Sequence, residues 1–270
     1  MFPSRRSVVM ARRGMVATSQ PLAAQAGLRI LQWGGSAADA AVAAAAVLNV
    51  VEPMSTGVGG DMFALVHNPA TGQTRALNGS GGAGAAATVA KINQLGFDAI
   101  PETHHGLAVT VPGAVDGWLT LLEAYGRLSL ADVLSPAIYY AEKGFPVSPL
   151  IAAAWQRTEE KLQANQAAAQ AFLIHGKAPR VGQIFRQPQL AETLRLIARG
   201  GREAFYQGFL AEQIAAAVQK NGGLLTTDDL AAHQSVWDEP VSMAYRGHRL
   251  VECPPNGQGI VALQTLGILS

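Results

Sequence analysis

The sequence predicts an α+β fold in which short strands flank a long helical middle, and three observations carry that prediction. Apolar residues recur at helical spacing through most of residues 148–223. Strand-like runs separated by turn chemistry occur towards both ends, and helical segments flank those strands. The order of elements favours a layered α+β arrangement over a parallel doubly wound sheet. With no internal repeat and no linker rich in Pro, Ser or charge, residues 1–270 read as one unit without an internal boundary.

The elements follow in order. Ser19 or Gln20 precedes Pro21, a residue suited to a first helical turn, and residues 22–33 carry apolar positions at helical spacing until Gly34-Gly35 stops them. Ser36 is a good N-cap for a second helix over 37–50, so rich in alanine that neighbours can approach it closely, and Glu52-Pro53 closes it. Residues 54–61 form a glycine-rich loop, 62–67 a buried strand, 68–72 a hairpin turn and 73–77 the returning strand.

Asn78-Gly79-Ser80-Gly81-Gly82-Ala83-Gly84 reads as the most flexible stretch. It leads to His104-His105-Gly106, a strand over 108–111 and a helix over 113–125. Ser129 caps a further helix through Ala141, ended by Gly144-Phe145-Pro146. Helical pattern then continues to residue 223 with breaks at 176–179 and 200–201, residues 240–254 return to strand, and Gly257-Gln258-Gly259 opens a last helix. That helix is apolar and carries no stop signal, which raises the expectation that the chain is part of a longer protein.

Composition excludes several functions. With 49% hydrophobic and 14% charged residues the chain can bury a large core. Lys+Arg of 20 against Asp+Glu of 19 leaves no footprint for nucleic acid or an anionic membrane. The basic cluster Arg5, Arg6, Arg12 and Arg13 reads as a solvated start, with an anionic partner as the alternative.

The apolar run behind Arg5 and Arg6 is too short for a signal peptide, so the expected location is cytoplasmic, or periplasmic or secreted if the natural N-terminus lies upstream. The longest apolar stretch, 40–51, is too short to span a membrane. Cys253 is the single cysteine, so no internal disulfide or Cys-rich zinc site can form, and it reads as a small buried hydrophobe.

Candidate chemistry is sparse. The loop Thr56-Gly57-Val58-Gly59-Gly60-Asp61 precedes a strand instead of opening a helix, so a tight backbone passage is favoured over a phosphate cradle. Asn78 stands where a Gly-x-Ser-x-Gly elbow needs its first glycine, so Ser80 is not read as a hydrolase nucleophile, although Asn78 and Ser80 are candidates to line a pocket. His104-His105 suits a loop contact or a surface position better than a metal site, and Thr226-Thr227-Asp228-Asp229 fits helix capping. No metal site and no cofactor is expected.

Four stretches, residues 14–68, 106–149, 200–218 and 222–259, together resemble the γ-glutamyltransferase family across most of the chain. The resemblance implies an Ntn-hydrolase αββα sandwich of which this chain supplies an incomplete, large-subunit portion. It implies a precursor that cuts itself ahead of a threonine whose own α-amino group then serves as base. That threonine is expected after Ser270, so no catalytic residue is assigned within the chain, which alone is expected to be inactive. The implied partners are a small-molecule amide substrate and the C-terminal part of the same precursor.

One departure bears on substrate. Family members acting on glutathione carry Asp-Phe-Arg-Glu after the early hairpin, where the arginine grips the γ-glutamyl α-carboxylate, and here Ser80 takes that arginine's place beside Asn78. Losing such a clamp costs about 2–3 kcal/mol of binding unless another cation compensates, and Arg75 is the nearby candidate. The main expectation is hydrolysis or transfer of a γ-glutamyl or other amide-linked acyl group. The alternatives are a small-amide hydrolase such as an oxamate amidohydrolase, a cephalosporin-acylase-like enzyme, or a catalytically silent scaffold.

Overall fold

The computed structural model describes residues 7–101 and 105–270. Arg5, Arg6 and His104 lie outside the described residues. Helix α1 (Pro21–Gln32) begins with Pro21 behind Gln20, whose side chain accepts from the Leu22 amide at 2.6 Å. Helix α2 (Ala37–Val51) starts with a reciprocal cap, in which the Ser36 hydroxyl accepts from the Asp39 amide and the Asp39 carboxylate accepts from the Ser36 amide. Ala38, Ala40, Ala43, Ala44 and Ala46 are buried, and their small size lets α2 pack closely on α1.

Strands β1 (Met62–Asn68) and β2 (Gln73–Gly79) form the expected hairpin, with Phe63 opposite Asn78 and Ala64 opposite Leu77. A short helix α3 (Val89–Gln94) follows. Residues 108–111 are not a strand: one 3-10 turn covers Gly106–Ala108 and the chain then runs extended, with the Val111 amide donating to Gly82 O at 2.9 Å. The β-branched pair Val109 and Val111 gives the sequence a strand's look, but no neighbouring strand pairs with it.

Helix α4 (Ala114–Tyr125) packs on β1 and β2, and α5 (Leu130–Lys143) packs against α2. Pro136 sits inside α5, and the Ser135 hydroxyl donates to the Asp132 carbonyl that Pro136 leaves without an amide. Then come β3 (Phe145–Pro146), α6 (Pro149–Gln163), α7 (Gln166–Phe172) and β4 (Ile184–Phe185), which pairs with β3.

Helix α8 (Pro188–Tyr206) runs through the expected break at Gly200-Gly201 with a kink, Gly201 having φ 56°. Helices α9 (Gly208–Lys220) and α10 (Thr227–Ala232) follow, and Thr226 caps α10 in a reciprocal box with Asp229. A three-residue strand β5 (Val236–Asp238) joins the edge of β2, making an antiparallel sheet of order β1-β2-β5. Strands β6 (Val241–Tyr245) and β7 (His248–Glu252) form a separate hairpin under the last helix, α11 (Gly259–Ile268).

The two faces of the β1-β2-β5 sheet differ. Met62, Ala64, Val66, Leu77 and Trp237 turn towards the helices, where the Tyr125 and Trp237 rings meet edge to face at 5.7 Å. Phe63, Leu65 and Val236 point the other way and stay 40%, 40% and 52% exposed. Helices thus cover one side of the sheet and leave an apolar second side open, as expected for part of a layered sandwich. Among the described residues no helix is long and apolar enough to cross a membrane.

Candidate functional site

Strand β2 ends on the open face of the sheet and delivers both sequence-predicted residues there. Alternation puts Asn78 opposite Phe63 on that face, and Ser80 follows two positions later. The connection from β7 to α11 crosses the same end and brings Asn256, which spacing in the sequence could not place there. Ser80 Oγ donates to Asn78 Oδ1 at 2.7 Å, Asn78 Nδ2 donates to Asn256 Oδ1 at 3.0 Å, and Asn256 Nδ2 donates to Ser80 Oγ at 2.9 Å. Ser80 Oγ is also 3.2 Å from Asn256 Oδ1, but its single proton serves the shorter contact.

The result is a closed ring of three neutral side chains, to which the Ser80 amide adds a bond to Asn78 Oδ1 at 3.0 Å. Each side chain donates once within the ring, which fixes the geometry of all three residues and leaves the second N–H of each asparagine amide available. The ring also settles what Ser80 is not. Its hydroxyl proton rests on a neutral amide oxygen, which is no general base, so the serine is not activated as a nucleophile.

The glycine stretch after Ser80 is pinned, contrary to its flexible appearance in the sequence. The Gly81 amide donates to Asp61 Oδ1 at 3.1 Å, Gly82 O accepts from the Val111 amide, and the Ala85 amide donates to Asp229 Oδ1 at 2.8 Å. Burial pushes the Asp229 carboxyl up, but the Ala85 amide together with the Thr226 hydroxyl and amide outweigh it and hold it below its usual value. The glycines at Gly81 and Gly113 are required sterically, because a Cβ at Gly81 would collide with the Val111 carbonyl and one at Gly113 with the Gly79 carbonyl.

The loop at 56–61 corrects a second expectation. A Cβ at Gly59 would meet nothing within 4 Å, and one at Gly57 only the Gly59 amide at 3.9 Å, so the loop is not the tight passage its glycines suggest. Its Gly60 carbonyl accepts from the amides of Gly113 and Ala114 and so anchors the start of α4. A cavity of about 450 Å³ lies beside the loop and reaches Asp61 and Met62, with Asn78 and Ser80 outside its lining.

Arg75 does not replace the missing clamp. It lies on the face opposite Asn78, with its guanidinium 4.4 Å above the Trp237 ring. His105 is a loop contact: its Nδ1 accepts from the Leu107 amide at 3.2 Å and its ring packs on Phe97. Cys253 is half-buried beside the Ala64 carbonyl, and burial, then the Glu252 charge, push its thiol up. Among the described residues no three His, Cys, Asp or Glu side chains come together to hold a metal ion.

Behind the helix-facing side, a buried polar node holds α4, α8 and the approach to β5 together. Asp116 accepts from Arg202 Nε at 2.8 Å and from the Ser235 amide at 2.6 Å, while its own amide donates to the Tyr206 hydroxyl at 3.0 Å. That hydroxyl donates to Pro112 O at 2.6 Å, and burial raises its pKa. His233 packs on the Tyr206 ring, 8% exposed, with no partner at Nε2 among the described residues.

Helices stacked on one face of an antiparallel sheet, an open apolar second face and a polar cluster at the strand ends define part of an Ntn-hydrolase sandwich. The gamma-glutamyltranspeptidase family model matches residues 23–270, and the chain belongs to that family. It is 46% identical over 261 residues to the glutathione hydrolase-like YwrD proenzyme of Bacillus subtilis, covering 97% of this chain and 49% of that protein. To the oxamate amidohydrolase proenzyme of Klebsiella pneumoniae it is 40% identical over 260 residues, covering 94% and 49%. The cephalosporin acylase structure from Bacillus halodurans superposes with a TM-score of 0.88 at 45% identity, covering 100% of this chain and 52% of that one. The chain thus spans about half the length of these relatives.

Proposed function

We propose that the complete protein is a self-processing amide hydrolase or acyltransferase of the gamma-glutamyltranspeptidase family, to which this chain contributes a partial domain. In this reading the threonine nucleophile lies beyond Ser270, in a C-terminal part of the same precursor that packs against the open sheet face. The observation that carries it is the pairing of a family-wide match with a polar ring on that open face, where a substrate held between two layers would meet it. Asn78, Ser80 and Asn256 are the proposed substrate-facing groups, and the proposed location is cytoplasmic.

A second reading, hydrolysis of a small amide, is favoured by the chemistry of the ring. Three neutral side chains offer hydrogen bonds to an amide or an uncharged carbonyl but no cation to a γ-glutamyl α-carboxylate. The proteins that resemble this chain include both kinds of enzyme.

The test is intact mass of the protein expressed from the complete reading frame, followed by a substrate pair. Two fragments, the smaller opening with threonine, are expected. The processed enzyme should then release ammonia from oxamate or the aniline from a γ-glutamyl anilide. A single uncut chain that turns over neither substrate would sink the catalytic reading.

A further inference from the structure

Asparagine followed by glycine is a chemically reactive step, because the glycine nitrogen is unhindered and can attack the side-chain amide before it. The sequence has three such steps, Asn78-Gly79, Asn221-Gly222 and Asn256-Gly257. The fold treats them differently. Asn78 and Gly79 lie in β2, opposite Val236 of β5 and Met62 of β1, so pairing holds their backbone extended, and Gly79 is buried. The Gly222 nitrogen donates to Gln219 O at 2.9 Å, and the Asn221 side chain is tied to Ala217 O at 2.8 Å. In neither place is the nitrogen free to swing onto the side chain.

Asn256-Gly257 is under neither constraint. It lies in the connection from β7 to α11, Asn256 is exposed, and the Gly257 nitrogen has no hydrogen-bond acceptor among the described residues. A Cβ at Gly257 would meet only Phe63 Cε1, at 4.0 Å, so no close packing crowds the attacking nitrogen. The target carbon is also activated. Asn78 Nδ2 donates to Asn256 Oδ1 at 3.0 Å, and this is the oxygen on which negative charge collects when a nitrogen adds to the carbonyl. Water reaches the exposed loop and can carry the proton from the attacking nitrogen to the departing one.

We propose that Asn256 is a site of spontaneous deamidation, a modification that introduces a negative charge into the Asn78–Ser80–Asn256 ring. The Gly257 nitrogen forms a bond to Asn256 Cγ, its proton passes through water to Nδ2, and the Cγ–Nδ2 bond breaks to release ammonia. Water then opens the resulting five-membered imide. Attack at the side-chain carbonyl gives aspartate, and attack at the backbone carbonyl gives isoaspartate; water is the one co-reactant. The departing Nδ2 is the group that donates to Ser80 Oγ at 2.9 Å, so its loss leaves a carboxylate oxygen facing the hydroxyl. The Ser80 proton then turns from the neutral Asn78 oxygen to that charged acceptor. The modification needs only this chain and water, so it does not rest on the proposed catalytic activity.

The experiment ages protein from the complete reading frame at mildly alkaline pH, folded and in urea, and maps it by peptide mass after digestion in acid, where this chemistry is slow. In the folded protein the Asn256 peptide is expected to gain the mass of NH replaced by O at least about tenfold faster than the peptides of Asn78 and Asn221. In urea the three peptides should change at similar rates, because the fold sets the difference between them. Gly257→Ala, which the open surroundings accommodate, should slow the change at Asn256 about tenfold or more. An Asn256 peptide that keeps its mass in the folded protein, that changes no faster than those of Asn78 and Asn221, or that changes at the same rate in Gly257→Ala would overturn the proposal.

Discussion

The substitution Asp116→Asn tests how the helical layer positions the strand that borders the candidate site. The Asp116 side chain is 6% exposed and its two oxygens serve different donors, Oδ1 the Arg202 guanidinium and Oδ2 the Ser235 amide. Asparagine keeps the shape but has one acceptor, so its amide nitrogen must face a donor in either orientation. Removing one partner of a fully buried pair costs about 3–5 kcal/mol. Arg202 is 30% exposed and can hydrate, so the expectation falls to about 2–3 kcal/mol. For a chain of this size that lowers Tm by about 4–12 °C.

Arg202→Met should cost at least as much, about 3–5 kcal/mol, because it leaves the buried carboxylate without its cation although the bond to the Ser235 amide remains. Urea unfolding at pH 7.5 followed by circular dichroism gives both values. Hydrogen exchange adds a local reading, since Ser235 leads into β5, where Val236 pairs with Asn78. Faster exchange at 235–238 is expected in Asp116→Asn only. Unchanged exchange at 235–238 in Asp116→Asn, or equally fast exchange there in Arg202→Met, would refute the assignment of the carboxylate as the anchor of β5.

Three further perturbations have defined outcomes. Burial lowers the His233 pKa, with Asp116 and Asp61 opposing and Arg202 assisting, so the folded state binds this proton less readily than the unfolded chain. The associated stability is present above pH about 6.5 and is lost as pH falls through the folded-state pKa, and His233→Leu should flatten that slope in urea midpoints measured from pH 7.5 to pH 5. Gly81→Ala drives a Cβ into the Val111 carbonyl, so a backbone shift and a loss of about 1–3 kcal/mol are expected, and an unchanged melting curve would contradict the close approach. Ser80→Ala opens the polar ring for about 1 kcal/mol, and solvent exchange of the Asn78 and Asn256 side-chain amides, read by NMR, should quicken together.

Much of this architecture is legible in sequence because its signals are local. Ser36, Ser129 and Thr226 each sit one residue before a helix with an acid three positions on, and each does cap. The 62–79 hairpin is likewise marked by its turn. What escapes notice depends on contacts between distant segments. β5 has three residues and exists because β2 offers an edge, whereas 108–111 has strand-forming residues and no edge to join. Asn256 meets Ser80 across 176 positions. The glycines divide the same way, since 57 and 59 stand in the open while 81 and 113 are hemmed in by backbone, a difference composition cannot encode.

The placement of cations gives the site its chemical character. On β2 the arginine and the polar ring are three residues apart, and strand alternation puts an odd separation on opposite faces of the sheet. Arg75 is accordingly held over Trp237 on the helix-facing side, and moving it to Ser80 would mean crossing a strand whose residues 76 and 77 are buried. The ring itself carries no formal charge, and the second N–H of the Asn78 and Asn256 amides, not used within it, is what it offers a ligand. Arg186 lies behind the glycine loop, in a cavity whose lining includes neither Asn78 nor Ser80. The strand-end ring therefore offers a ligand neutral hydrogen bonds and no cation, which favours an uncharged group there over a carboxylate.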